Sequence, residues 1–181
     1  MTATAFGRSA VSRRNIVAGL IVLVPIPTFG KEPNAKEPSA KAFLDKIYRQ
    51  YLGSSTSGTE GVALADAKAV RAYFTVGLAS LIIDDRSLET AHGQSPVLDG
   101  DPFVGHREWD ISSLAIKVKR ISAFKATGTI TFTNKGAPET IVLELQRFCN
   151  DWRIADIEWN SGSLRNAFRR RAAYDGEALP R

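Results

Sequence analysis

Residues 114–157, LAIKVKRISAFKATGTITFTNKGAPETIVLELQRFCNDWRIADI, alternate apolar and polar side chains over four successive runs. Successive side chains of a β-strand point to opposite faces of a sheet, so this alternation predicts strands with one apolar face. The segments between the runs hold residues that favour tight turns, such as the Asn, Gly and Pro of residues 134–138. The pattern predicts a four-stranded antiparallel meander with strands at residues 114–119, 127–133, 141–146 and 152–157.

The residues before this meander carry the spacing of helices instead. Ser39 is a favourable N-cap for a helix over residues 40–52, whose apolar side chains recur on one face. Further helices are predicted at residues 65–73 and 76–90, and a short one follows the sheet at 163–171. Because the apolar face of a meander needs a cover, we expect the N-terminal helices to pack on it.

The predicted fold class is therefore α+β, with N-terminal helices on a curved four-stranded antiparallel meander. Helices that precede such a sheet are found in the cystatin-like folds and in the nuclear-transport-factor-2-like cone. We favour the cone, in which the sheet and the long helix enclose a pocket that can be empty, filled or catalytic.

Residues 1–30 have the features of a signal peptide, because three arginines and no acid precede the apolar run at residues 16–24. That run is too short to cross a hydrocarbon core of ~30 Å. Residues 12–17, SRRNIV, resemble the twin-arginine export signal. We expect a periplasmic or secreted protein with no membrane span after signal removal. An uncleaved segment would act as a weak membrane tether.

The rest of the chain reads as one domain with short flanks. Residues 31–38, KEPNAKEP, are interpreted as a linker, residues 39–172 as a single α+β domain and residues 173–181 as a flexible tail. Three of the 24 basic side chains belong to the signal peptide, and the others nearly balance the 19 acidic ones. A nearly neutral body argues against nucleic-acid binding. The single cysteine, Cys149, excludes an intramolecular disulfide, and its aromatic neighbours favour a buried thiol.

The stretch from Phe43 to Phe168 resembles a bacterial family catalogued as domain of unknown function 3828. Three segments carry the resemblance: Asp101–Pro102–Phe103–Val104, Glu108–Trp109–Asp110–Ile111, and Trp152–Arg153–Ile154–Ala155–Asp156–Ile157. The resemblance implies an envelope-located α+β domain and adds no chemistry. Family members often carry Gln-Asp where Arg107 and Glu108 stand here, which keeps the negative charge and changes its neighbour.

Patterns for the common catalytic and metal sites do not occur in this sequence. The histidines and the cysteine lack the short fixed spacings of zinc ligands. There is no Gly-x-Ser-x-Gly elbow and no glycine loop ending in Lys-Ser or Lys-Thr. We therefore predict no catalytic motif, no metal and no cofactor.

Two groups of residues are candidates for ligand binding. Asp101, Glu108 and Trp109 lie in the longest irregular segment, and we expect them to rim the mouth of a pocket. Asp156 falls between Ile154 and Ile157 and is predicted on the core face. There Tyr48 or Tyr51 of the first helix would hydrogen-bond it, either to pin helix to sheet or as an acid–base pair.

These features favour a non-catalytic domain of the cell envelope that binds an unknown small ligand or protein partner. One alternative is a small isomerase or hydrolase that uses the Asp–Tyr pair. Another is an immunity-type protein that neutralises a periplasmic toxin. A third alternative is an oligomerisation module that forms a homodimer through the face of Thr127, Thr129 and Thr131.

Overall fold

The computed structural model describes residues 39–92, 95–98 and 100–177. The predicted signal peptide and linker lie outside these residues. Within them the chain forms four α-helices: α1 (Ala40–Tyr48), α2 (Ala67–Tyr73), α3 (Val76–His92) and α4 (Leu164–Glu177). No helix of this described part is long and apolar enough to cross a membrane.

The helix predictions are confirmed in order and differ at their ends. Ser39 caps α1 as predicted, since its Oγ accepts a hydrogen bond from the Ala42 N–H at 3.1 Å. However, α1 ends at Tyr48 instead of residue 52. The Arg49 N–H still bonds four residues back, but the N–H groups of Gln50 and Tyr51 bond three residues back, which tightens the turn. Gly53 (φ +99°) then turns the chain into the sheet. At the other end, α4 continues to Glu177, past the predicted end of the domain at residue 172.

The sheet is an open antiparallel meander of six strands in chain order, so the predicted count of four is wrong. The predicted strands correspond to β2 (Asp110–Arg120), β3 (Lys125–Asn134), β4 (Ala137–Phe148) and β5 (Asp151–Trp159). Two strands of two residues each, β1 (Gly53–Ser54) and β6 (Gly162–Ser163), form the edges. A two-residue strand cannot show a period of two, which is why the sequence pattern missed both.

The apolar face of the sheet is covered by the N-terminal helices, as expected. The side chains of Ile130, Leu143 and Ile154 on this face are fully buried. Helix α1 lies against β2 and β3, whereas α2 and α3 lie against β5. Gly128 allows the close approach of α1, because a Cβ there would collide with the Leu44 side chain.

A β-bulge in β5 changes which residues face the core. Leu145 pairs with Ile154 and Glu144 pairs with Asp156, so Ala155 is the extra residue. An inserted residue reverses the alternation that follows it. Asp156 therefore lies on the opposite face from Ile154 and Ile157, and its predicted position on the core face is wrong.

The strand turns of the meander collect at two opposite ends of the sheet. The β3–β4 turn at Lys135–Gly136 and the β5–β6 turn at residues 160–161 lie at one end. The β2–β3 turn and the β4–β5 turn, which contains Cys149, lie at the other. Cys149 is exposed, so the expected buried thiol is wrong. The residue lies in this turn with a φ of +53°, outside the apolar face of the sheet.

Candidate functional site

An aromatic cluster fills the space between the end of α1 and the segment after residue 100. The Tyr51 ring centroid lies 5.9 Å from Tyr48, 5.5 Å from Phe103 and 5.3 Å from Trp109. All four side chains are buried. The two tyrosines predicted as ligand-binding residues therefore form part of the core behind the surface, where a ligand would have to displace packed rings.

A buried hydrogen-bond chain joins this cluster to Asp101. The Tyr51 hydroxyl donates to Asp101 Oδ2 at 2.8 Å and accepts from the Val62 N–H at 2.9 Å. Asp101 Oδ1 accepts from the Phe103 N–H at 2.8 Å. Each carboxylate oxygen of Asp101 thus accepts one hydrogen bond. Because the Tyr51 oxygen accepts from the Val62 N–H, its own O–H donates to Asp101.

Burial raises the pKa of Asp101 from 3.8 to about 6, against the opposing effects of the Phe103 N–H, the Tyr51 hydroxyl and the charge of Arg86. Burial and the neighbouring Asp101 charge together raise the pKa of Tyr51 far above its ordinary value. The tyrosine therefore stays protonated, while Asp101 gains and loses its proton near physiological pH.

The segment 101–106, which we call the Asp-Pro-Phe loop, is fixed from several sides. It closes on itself, since the Asp101 N–H donates to His106 O at 3.0 Å. The Tyr48 hydroxyl donates to Phe103 O at 3.1 Å, and Trp159 Nε1 donates to Pro102 O at 3.0 Å. Helix α1 and strand β5 thereby each anchor the loop through a hydrogen bond to one of its carbonyl groups.

A groove of about 370 Å³ lies beside this loop, at the end of the sheet where β4 begins and β5 ends. We call it the loop-side groove. His106 Nε2 and Glu139 Oε1, 3.3 Å apart, join the loop to β4 across it. Its walls include the partly buried ring of Trp159 and the aliphatic Val104. The polar residues of the lining are Asp101, His106, Glu139, Thr140, Asn160 and Ser161.

The structure distributes the predicted site residues over three places. Asp101 lines the groove as expected. Trp109 is only 5% exposed, so its predicted place at a pocket rim is wrong; its buried Nε1 has no hydrogen-bond partner. Glu108 is exposed and accepts a hydrogen bond from Lys135 Nζ at 3.0 Å. Of the predicted rim, only Asp101 borders the groove.

Asp156 accepts hydrogen bonds at the start of α4 and does not bond a tyrosine. Its Oδ1 accepts from the Ile157 N–H at 2.9 Å and from the Arg165 N–H at 3.0 Å. A carboxylate that binds N–H groups of the first helical turn acts as a cap. The expected pair between Asp156 and Tyr48 or Tyr51 does not form, because the bulge turns Asp156 away from α1.

The sequence reasoning missed three residues of the groove: His106, Glu139 and Trp159. Glu139 follows a proline that was read as part of a turn, and Trp159 lies just past the predicted end of the last strand. The signal that was available is the sequence Trp159–Asn160–Ser161, an aromatic residue beside polar ones where a strand meets a turn.

No family model matches the chain, and no curated protein matches it. Within the described ranges, no group of three or more His, Cys, Asp or Glu side chains could hold a metal ion. The inference of function therefore depends on the geometry and charge of the groove.

Proposed function

We propose that this chain is a non-catalytic binding domain whose loop-side groove takes a small organic cation. The observation that carries the proposal is the charge of the groove. Two carboxylates, Asp101 and Glu139, lie in its lining together with one histidine, and no lysine or arginine is among the described residues that line it. A concave site lined by one sign of charge attracts the opposite sign.

The other walls of the groove suit a compact cation that carries methylene or methyl groups. Trp159 offers an aromatic wall, and cations are attracted to the faces of indole rings. Val104 and Ile141 offer apolar contact. Since the pKa of Asp101 is about 6, its carboxylate is mostly ionised at pH 7.5. Both of its oxygens already accept hydrogen bonds, so its negative charge attracts a cation into the groove while Tyr51 and Phe103 hold the carboxylate in place.

The fixed conformation of the Asp-Pro-Phe loop favours binding as well. A site that is already ordered loses little conformational entropy when a ligand enters. The bonds from Tyr48 and Trp159 to the loop carbonyls supply that order. The candidate binding surface is thus present before any ligand arrives.

The geometry gives less support to the acid–base alternative. An Asp–Tyr pair does exist, but it joins Tyr51 to Asp101 instead of Asp156. The Tyr51 hydroxyl is enclosed between Asp101 and the Val62 N–H, and the side chain is fully buried. A general acid must be able to reach the substrate, so the pair is better suited to holding the loop.

The cellular location and the family also belong to this proposal. The arginines and apolar run of residues 1–30 support export to the cell envelope. The Asp101–Pro102–Phe103 and Trp152–Ile157 segments support the resemblance to the domain of unknown function 3828 family. Helix α1 on the bent meander is compatible with a nuclear-transport-factor-2-like cone.

Isothermal titration with matched probes tests the proposal. Choline and putrescine are the cations, and 3,3-dimethylbutan-1-ol is the neutral analogue of choline. We expect at least one cation to bind at pH 7.5, the neutral analogue to bind about 10-fold more weakly or not at all, and affinity to fall below pH 6 as Asp101 is protonated.

Variants of strand β4 supply the matched comparison. Glu139→Gln removes a groove carboxylate and should weaken cation binding about 10-fold. Glu144→Gln removes an exposed carboxylate of the same strand outside the groove and should leave binding unchanged. The proposal fails if neither cation binds, or if both variants weaken binding equally.

A further inference from the structure

Three large apolar side chains are exposed in the two neighbouring turns at the end of the sheet opposite the groove. Ile121 and Phe124 in the β2–β3 turn are 58% and 63% exposed, and Phe148 at the β4–β5 turn is 70% exposed. The Arg147 N–H donates to Phe124 O at 2.8 Å, which holds the two turns side by side. We call these three residues the apolar tip.

Basic residues flank the apolar tip in the same strands and turns. Residues 117–125 contain four lysines or arginines and no acid, and all four are exposed. The adjoining turn, residues 147–153, adds Arg147 and Arg153, with Asp151 as the single acid. Arg153 is half-buried and pairs with Asp151 at 3.6 Å, so the exposed positive charge comes mainly from residues 117–125, whose four basic side chains we call the basic ring. This end of the sheet therefore combines exposed aliphatic and aromatic groups with an excess of positive charge, although the domain as a whole is nearly neutral.

The N-terminal segment of the chain joins the domain at this same end. Ser39 and Ala40 line a cavity of about 310 Å³ together with Arg120, Arg147 and Trp152. The preceding segment contains the apolar run 16–24. In a chain that keeps its signal segment, the residues between that run and Ser39 span at most about 50 Å when extended. After signal removal, the tip would have to hold the protein on a membrane by itself.

We propose that the apolar tip docks this protein on an anionic phospholipid bilayer. Phe124 and Phe148 would enter the interfacial region, where aromatic side chains are favoured. The surrounding lysines and arginines would contact the headgroup phosphates, as juxtamembrane basic clusters do. The groove, at the far end of strands about 30 Å long, would then face away from the bilayer.

The same observations argue against a second copy of the chain as the occupant of the tip. A stable protein interface needs about 20–30 residues from each partner, whereas the apolar tip has three. Two copies that met tip to tip would also bring their basic rings together, and like charges oppose association.

The native cysteine provides a probe of this docking in the full chain. Cys149 is the single cysteine, is exposed and follows Phe148 directly. An environment-sensitive fluorophore on Cys149 should shift to the blue on vesicles of phosphatidylglycerol and phosphatidylcholine, and much less on phosphatidylcholine alone. The control variant combines Cys149→Ser with Val76→Cys, which moves the label to an exposed position on α3. The fluorescence of this label should not shift when vesicles are added.

Surface variants separate the tip from the N-terminal segment. The variant Ile121→Ser/Phe124→Ser/Phe148→Ser should reduce partitioning to anionic vesicles about 10-fold or more. The matched variant Val76→Ser/Leu81→Ser removes exposed apolar side chains elsewhere and should bind as the parent does. Equal urea midpoints for the two variants exclude misfolding as the cause, because all five side chains are exposed.

Three results would overturn the proposal. The first is co-sedimentation with vesicles without a shift of the Cys149 label, because the N-terminal segment alone would then hold the protein. The second is a dimer that the tip variant dissociates. The third is a blue-shifted label in the absence of vesicles, which would show that the tip is covered by the chain itself.

Discussion

Replacement of Asp101 by Asn should change how the stability of the domain depends on pH. The substitution keeps the shape of the side chain and an oxygen that can accept from the Phe103 N–H, but removes the charge. The pKa of Asp101 is raised from 3.8 to about 6 in the folded state. The folded protein therefore binds this proton more tightly than the unfolded chain does between these two values.

The sign of the effect follows from this difference in proton affinity. As the pH rises from about 4 to about 6, the wild-type protein loses stability, because the buried carboxylate must ionise; above pH 6 the loss is complete. A shift of about two pKa units corresponds to about 3 kcal/mol. Because the Asp101 side chain keeps some contact with solvent, we expect a loss of about 2–3 kcal/mol. The Asp101→Asn variant has no carboxylate at this position to ionise, so its stability should not fall in this way as the pH rises.

Urea unfolding followed by tryptophan fluorescence from pH 3.5 to 7.5 measures the effect. The free energy of unfolding of Asp101→Asn minus that of the wild type should rise by about 2–3 kcal/mol across this range. An altered contact with the Tyr51 hydroxyl changes this difference in free energy by the same amount at every pH. The test is therefore how the difference changes with pH. Glu60→Gln, which removes an exposed carboxylate, corrects for net charge. A difference that stays flat or falls with pH would refute the reasoning.

Two further substitutions probe the contacts around the site. Tyr51→Phe removes a donor to Asp101 and leaves a buried backbone N–H without its acceptor, so it should cost about 1–3 kcal/mol. It should also raise the Asp101 pKa further in a carboxyl ¹³C NMR titration, whereas Tyr73→Phe should not. Asp156→Ala removes the cap at the Arg165 N–H and should cost about 1–2 kcal/mol, with faster hydrogen exchange at the start of α4. Weaker cation binding by this last variant would contradict its purely structural role.

Local patterns predicted most of the elements of this fold. The Ser39 cap, the start of α3 at Val76 and the four long strands depend on side-chain spacing and capping, which neighbouring residues determine. Their ends were less predictable. The end of α1 depends on Gly53 and on the pairing of β1 with β2, which brings together residues far apart in the chain.

The candidate site was predicted in part for the same reason. The irregular segment around Asp101 pointed to a special position, and Tyr48 and Tyr51 were recognised as partners for a carboxylate. Which carboxylate they meet could not be read from spacing, because one inserted residue at Ala155 turns Asp156 to the other face of β5.

The sequence by itself determined the α+β class, the order of helices and strands and the apolar face that the helices cover, since each of these follows from local periodicity. Only the tertiary structure decided that Asp101 bonds Tyr51, that His106, Glu139 and Trp159 share one groove, and that the turns carrying Phe124 and Phe148 lie side by side at the opposite end. These are contacts between distant parts of the chain, and strand register and a single bulge determine them.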